Sequence, residues 1–164
     1  MVGGYTHPTK LTTDNESGVN VIVLSTELFQ QIEQEGVRAY PSECCGVMIG
    51  RDLPQADGAI HRLVERLQPL TNSFEKEEQY HRFRLDPLEY IQAEKTAGAE
   101  GKLLLGFYHS HPDCPARPSE YDRQHAWPFY SYVIVSILKG QPADMTSWLL
   151  NAATEKFSEE HISR

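Results

Sequence analysis

Lys102-Leu103-Leu104-Leu105-Gly106-Phe107-Tyr108 runs directly into His109-Ser110-His111-Pro112-Asp113-Cys114-Pro115-Ala116-Arg117-Pro118-Ser119-Glu120-Tyr121-Asp122. The first seven residues predict a central strand, because a short apolar run suits a strand covered on both faces. In α/β folds, ligand sites commonly lie at the carboxyl ends of such strands. His109 and His111 are two apart, so an extended backbone puts both side chains on one face. Two imidazoles at that spacing can share one divalent ion. Asp122 comes eleven residues after His111, beyond a proline-rich loop, and can close the site as an oxygen ligand from the next helix. Two His and one carboxylate leave zinc a fourth position for water, the pattern of catalytic rather than structural sites. A plainer reading exists. An H-x-H pair taken alone is more often solvated or packed than ligating. Ser119-Glu120-Tyr121-Asp122 also matches a helix N-cap with an acid three residues later. The two readings are compatible, since Ser119 and Asp122 share one helical face.

Working outward, Val21–Leu24 predicts a short strand. A helix capped by Ser25 or Thr26 follows to about Tyr40, with Leu28, Phe29, Ile32 and Val37 on its inner face and Pro41 ending it. Cys44–Gly50 predicts a buried strand, Arg51–Gly58 a turn and Ile60–Leu70 another strand. Thr71–Arg84 is polar and reads as a loop with some extended structure, its Glu75-Lys76-Glu77-Glu78 run solvated. Asp86-Pro87-Leu88-Glu89 is a helix start, with the stop near Gly98 or Gly101. Ser119–Ala126 predicts a short helix. Ser131–Leu138 and Met145–Leu150 predict strands around a Lys139-Gly140-Gln141-Pro142 turn, and Glu155–Ile162 a final edge strand. Strands mixed with helices in this order imply one α/β domain, a central mixed β-sheet flanked by helices. Met1–Asn20 is polar and without periodicity, so residues 1–20 are expected to be a flexible arm and 21–164 the domain.

With 164 residues, the chain is long enough for one domain with its own core. Fifteen Lys and Arg against 23 Asp and Glu give a net charge of −8, which argues against nucleic acid as a partner. No apolar run approaches the roughly 20 residues that span a bilayer, and Met1–Lys10 lacks a signal-like apolar centre. Three cysteines, two of them adjacent, do not form a disulfide framework and point to a reducing cytoplasm. Neither length nor composition bears on the oligomeric state.

Pro41-Ser42-Glu43-Cys44-Cys45-Gly46-Val47-Met48-Ile49-Gly50 places Glu43 directly before an apolar strand. On its own, Glu43 reads as a solvated turn residue. Taken with His109-Ser110-His111-Pro112 and Ser119-x-x-Asp122, the set resembles the JAMM (MPN+) metallopeptidase family, over about Val21–Leu150. Asp86-Pro87 before a helix is similar to its small, stand-alone prokaryotic members. The resemblance implies a JAMM/MPN, cytidine-deaminase-like architecture and a Zn2+ cofactor. It implies zinc ligands at His109, His111 and Asp122, a general base at Glu43 and an oxyanion-stabilising serine at Ser119. It further implies peptide or isopeptide hydrolysis at the Gly-Gly tail of a ubiquitin-like protein, with a sulfur carrier as the expected substrate. Two alternatives stand beside it. One is a non-catalytic MPN-type assembly module. The other is a thiol hydrolase using Cys114, three residues after His111. Cys44 and Cys45 read as core and turn residues, and His7, His61, His81, His125 and His161 as surface or packing residues. The zinc deaminase pattern is absent, because no C-x-x-C occurs.

Overall fold

The computed structural model describes residues 19–164. The expected arm at residues 1–20 lies outside the described residues except for its last two. Seven strands and three helices follow one another as β1 (Val21–Val23), α1 (Thr26–Ala39), β2 (Cys45–Pro54), β3 (Ile60–Leu70), α2 (Pro87–Ala99), β4 (Leu103–Pro112), α3 (Glu120–His125), β5 (Ser131–Leu138), β6 (Gln141–Leu150) and β7 (Phe157–Ser163). The sheet order is β1-β3-β2-β4-β5-β6-β7, and it closes on itself. It is mixed, as expected: β1–β3, β1–β7 and β4–β5 pair parallel and the rest antiparallel.

Two apolar clusters divide the fold. One gathers Ile22, Leu24, Ile32, Met48, Leu105, Tyr108, Val133, Val135 and Ile137 against α1. The other gathers Val47, Ile49, Phe107 and Tyr132 against Ala93 and Ala97 of α2. β4 feeds both, which is why its sequence is a continuous apolar run rather than an alternating one. The helix boundaries follow local chemistry. Ser25 caps α1 by accepting from the Leu28 N–H, and Asp86 caps α2 with Pro87 behind it.

Four expectations need correction. Arg51–Pro54 is not part of a turn: β2 continues through it, paired with Ile60–Leu63, and the chain reverses only after Pro54. Proline is tolerated there because it ends the strand, where no ladder donor is required. β6 begins at Gln141, so the turn is only Lys139-Gly140, with φ of 50° and 77°. Both residues are left-handed, as the tightest hairpins demand. β7 is not an edge strand, because it pairs with both β6 and β1. Val37 is exposed, and Glu35 and Gly36 face the core instead. A Cβ at Gly36 would meet Ile137 at 2.9 Å, so glycine lets α1 sit close on the sheet. Glu35 is tolerated there because the Tyr108 hydroxyl donates to it at 2.5 Å and Gln31 at 3.0 Å. No helix among the described residues is long and apolar enough to cross a membrane.

Candidate metal centre

β4 stays extended through Pro112, so His109 and His111 leave the same face of one strand, as the two-residue spacing requires. Both are buried. α3 then begins with a complete capping box. The Ser119 hydroxyl accepts from the Asp122 N–H at 3.1 Å, and the Asp122 carboxylate accepts from the Ser119 N–H and hydroxyl, each at 2.7 Å. The cap and the ligand readings of Ser119-x-x-Asp122 therefore hold together. The box leaves Oδ1 of Asp122 facing His109, while Oδ2, which Ser119 holds, also faces His111.

The three side chains converge. His109 Nε2 lies 3.0 Å from His111 Nε2. Each also lies 3.4 Å from an Asp122 carboxylate oxygen. Among the described residues, His109, His111 and Asp122 form the one such group of three, with one ligand atom of each inside a 4.8 Å sphere of mutual distances. The tautomer of His111 is set by its other nitrogen. Nδ1 lies 2.9 Å from the Pro115 carbonyl, which can only accept, so Nδ1 donates and Nε2 presents a lone pair inward. Two imidazole nitrogens at 3.0 Å need a proton or a cation between them. The buried set of two nitrogens and one carboxylate fits a zinc-type ion.

The local fields at the two imidazoles differ. Burial holds His109 below the ordinary histidine range, favouring the neutral ligand form, against the pull of Asp122. At His111 burial is outweighed by the Asp122 hydrogen bond and charge, and its pKa rises. Asp122 is driven well below the carboxylate range, because His109, His111 and the Ser119 N–H together outweigh its burial.

Glu43 reaches the same place by strand register. Cys45 pairs with His109 across antiparallel β2 and β4. The Ser110 N–H donates to the Cys44 carbonyl at 3.1 Å, and the Cys44 N–H donates to the Ser110 hydroxyl at 2.8 Å. Continuing that register sets Glu43 beside His111. Glu43 is buried, and burial raises its pKa from 4.5 to about 8, with His111 opposing and Asp122 reinforcing the shift.

The polar segment after β3, expected to be a loop with some extended structure, is partly a wall of this site. Phe83 stacks on the His109 ring, centroids 4.5 Å apart. The Gln79 carbonyl accepts from the Glu43 N–H at 2.6 Å, and Asn72 donates to the Glu43 carbonyl at 3.3 Å. Sequence reading missed Asn72, Gln79 and Phe83. The one available signal was a phenylalanine and a buried-type amide inside an otherwise charged stretch. Cys114 is exposed, and both nitrogens of His111 are directed elsewhere, to Pro115 and to the His109–Asp122 pair. His125 is exposed and stacks on Tyr121, outside the convergent group.

The family model describing prokaryotic homologs of the JAB domain matches residues 25–151. The desampylase of Haloferax volcanii is 36% identical over 97 residues, which is 58% of this chain and 63% of that protein. The aligned region thus spans less than two thirds of that relative's length. A probable TtuB-protein conjugate cleaving protease of Thermus thermophilus is 33% identical over 114 residues, 70% of this chain and 69% of that one. The solution structure of a Desulfitobacterium hafniense protein matches with a TM-score of 0.69 at 32% identity, covering 87% of this chain and 91% of its own. The family match takes in β2 through β6 and the convergent His109, His111 and Asp122. The chain belongs to the prokaryotic homologs of the JAB domain, the small JAMM-type proteins that its motifs resemble.

Proposed function

We propose that this protein is a zinc-dependent peptidase that hydrolyses a peptide or isopeptide bond at the C-terminal tail of a ubiquitin-like protein. The observation that carries this reading is the convergence of buried His109, His111 and Asp122 beside a buried Glu43. His109, His111 and Asp122 would hold the metal, which supplies Lewis acidity toward a scissile carbonyl and toward water. Glu43 is the general base: it accepts a proton from the attacking water and returns it to the leaving amine. Its burial suits it to hold that proton between the two transfers, since desolvation favours the neutral carboxyl. Ser119 is the oxyanion donor. Its hydroxyl proton, now given to Asp122, turns toward the oxygen that gains charge. The Pro115 carbonyl fixes the His111 ring, and Phe83 covers a face of His109 and keeps water from it.

Two relatives support the substrate class by their names, one a desampylase and one a protease of TtuB-protein conjugates. The substrate assigned here is a sulfur carrier ending in Gly-Gly. Cys44, Cys45 and Cys114 are free thiols, in keeping with a reducing cytoplasm.

The test combines metal analysis with a panel of carrier-tail fusions. The expected result is about one zinc per chain and cleavage after Gly-Gly. Glu43→Gln should abolish turnover while retaining the metal. Equal cleavage of tails with and without Gly-Gly would remove the substrate assignment. Failure to take up zinc would remove the hydrolytic reading and leave an assembly module.

A further inference from the structure

Asn72 lies on none of the seven strands, yet all the polar atoms of its side-chain amide are engaged near the site. Its Nδ2 donates to the Glu43 carbonyl at 3.3 Å and to the Arg82 carbonyl at 2.9 Å. Its Oδ1 accepts from the Phe74 N–H at 3.1 Å and the Arg84 N–H at 3.2 Å. Two carbonyls on one side and two N–H groups on the other leave a single orientation of the amide that satisfies all four. Its backbone takes part as well: Asn72 bridges Leu85, and its carbonyl accepts from Gln79 Nε2 at 3.2 Å.

These bonds fold residues 71–85 back on themselves and tie the result to the backbone of Glu43, while at the start of the segment the Thr71 N–H and hydroxyl donate to Glu89 of α2. The second tie is the Gln79 carbonyl on the Glu43 N–H. The Gln79 side chain in turn donates to the Asn72 and Phe74 carbonyls, so that tie depends on the same loop closure. Phe83 sits between the two residues whose backbones Asn72 holds, Arg82 and Arg84, and it is the residue stacked on His109. On the other side, Cys44 is bonded to Ser110 of β4. The backbone of Glu43 is therefore gripped from both flanks, by β4 through Ser110 and by the loop through Asn72.

We infer that Asn72 is a positioning residue for Glu43: it locks the 71–85 loop so that the loop holds the Glu43 peptide and the Phe83 ring in place. Its consequence for turnover rests on the hydrolytic reading above, whereas its consequence for the Glu43 peptide does not. Misplacement of a proton-transfer group by about an ångström is enough to cost roughly 10²-fold in rate.

The experiment uses the full-length protein as Asn72→Asp and Asn72→Ser, with the exposed Glu77→Gln as a loop control. Asn72→Asp keeps the two acceptor bonds and sets an oxygen against two carbonyls. Asn72→Ser removes both ends without adding charge, and serves if the aspartate variant does not fold. Amide exchange over residues 42–44 should speed up by at least about tenfold, the scale of a lost hydrogen bond. Exchange at Phe107–Tyr108 and zinc content should be unchanged. On a Gly-Gly-tailed carrier fusion, kcat should fall by roughly 10²-fold with KM unchanged, and Glu77→Gln should behave as wild type. Unchanged protection at residues 42–44 in both Asn72 variants overturns the inference, whatever the turnover. Lost protection with full kcat also overturns it. If the wild-type protein cleaves no fusion, the hydrolytic reading fails alone, and the exchange result still decides whether Asn72 holds the Glu43 peptide.

Discussion

Glu43→Gln in chelator-stripped protein is expected to raise stability, by an amount that grows with pH. Glu43 is buried, and among the described residues the His111 imidazole opposes the rise in its pKa. Burial lifts its pKa from 4.5 to about 8. Between those two values the folded chain binds a proton that the unfolded chain has released. Stability must then fall as pH rises through that window. A shift from 4.5 to about 8 amounts to roughly 4–5 kcal/mol, an upper value because the site can relax around the ionised group. Gln has nearly the shape of the protonated carboxyl and carries no charge. Below pH 4.5 the two proteins should therefore be equally stable. By pH 9 the variant should lead by at least ~2 kcal/mol. The assay is urea unfolding in chelator at half-unit pH steps, comparing midpoints at constant m. His111 and Asp122 interact with Glu43, so the difference between the two curves reports Glu43 together with its coupling to those neighbours. A gap that is constant with pH, or a variant less stable than wild type at pH 9, would refute the argument that the Glu43 carboxylate is desolvated. A residue that costs the fold stability in this way, yet completes the proposed catalytic set, fits a stability–activity trade-off.

Three further outcomes test other parts of the structure. Ser119→Ala breaks the capping box and should lower stability by about 0.5–2 kcal/mol. If the hydroxyl also serves the oxyanion, kcat falls by roughly 10²–10³, whereas a lower Tm with full kcat would reduce Ser119 to a cap. Tyr108→Phe strands the buried Glu35 carboxylate without its tyrosine donor and should cost about 1–3 kcal/mol in urea unfolding, with little change in zinc content. Cys114→Ala should retain both metal and turnover; complete loss of activity would bring back the thiol hydrolase that the pairing of His111 argues against.

Much of the candidate centre was legible because it is local. His109 and His111 owe their shared face to the two-residue period of a strand, and Ser119 and Asp122 owe theirs to the first turn of a helix. Both relations are properties of a dozen neighbouring residues. The caps at Ser25 and Asp86 and the span of β3 are of the same kind. The errors fell where pairing between distant segments overrides local pattern. Arg51–Pro54 has turn-like composition, but Ile60–Leu63 offers it a partner. Phe157–Ser163 has the polar character of an edge, but β1 covers its free side.

Sequence by itself therefore determined which residues can ligate a metal, which faces they share and which family the chain resembles. Tertiary structure alone decided that Glu43 meets His111, because only the antiparallel register of β2 on β4 brings together residues so far apart in the chain. It alone turned the charged 71–85 segment into a wall, through bonds from Asn72 to backbone groups that no periodicity encodes. The physical reason is common to both. Periodicity and capping are short-range consequences of backbone geometry, whereas register and loop docking follow from which buried surfaces and backbone groups can be satisfied at once, a condition set by the whole fold.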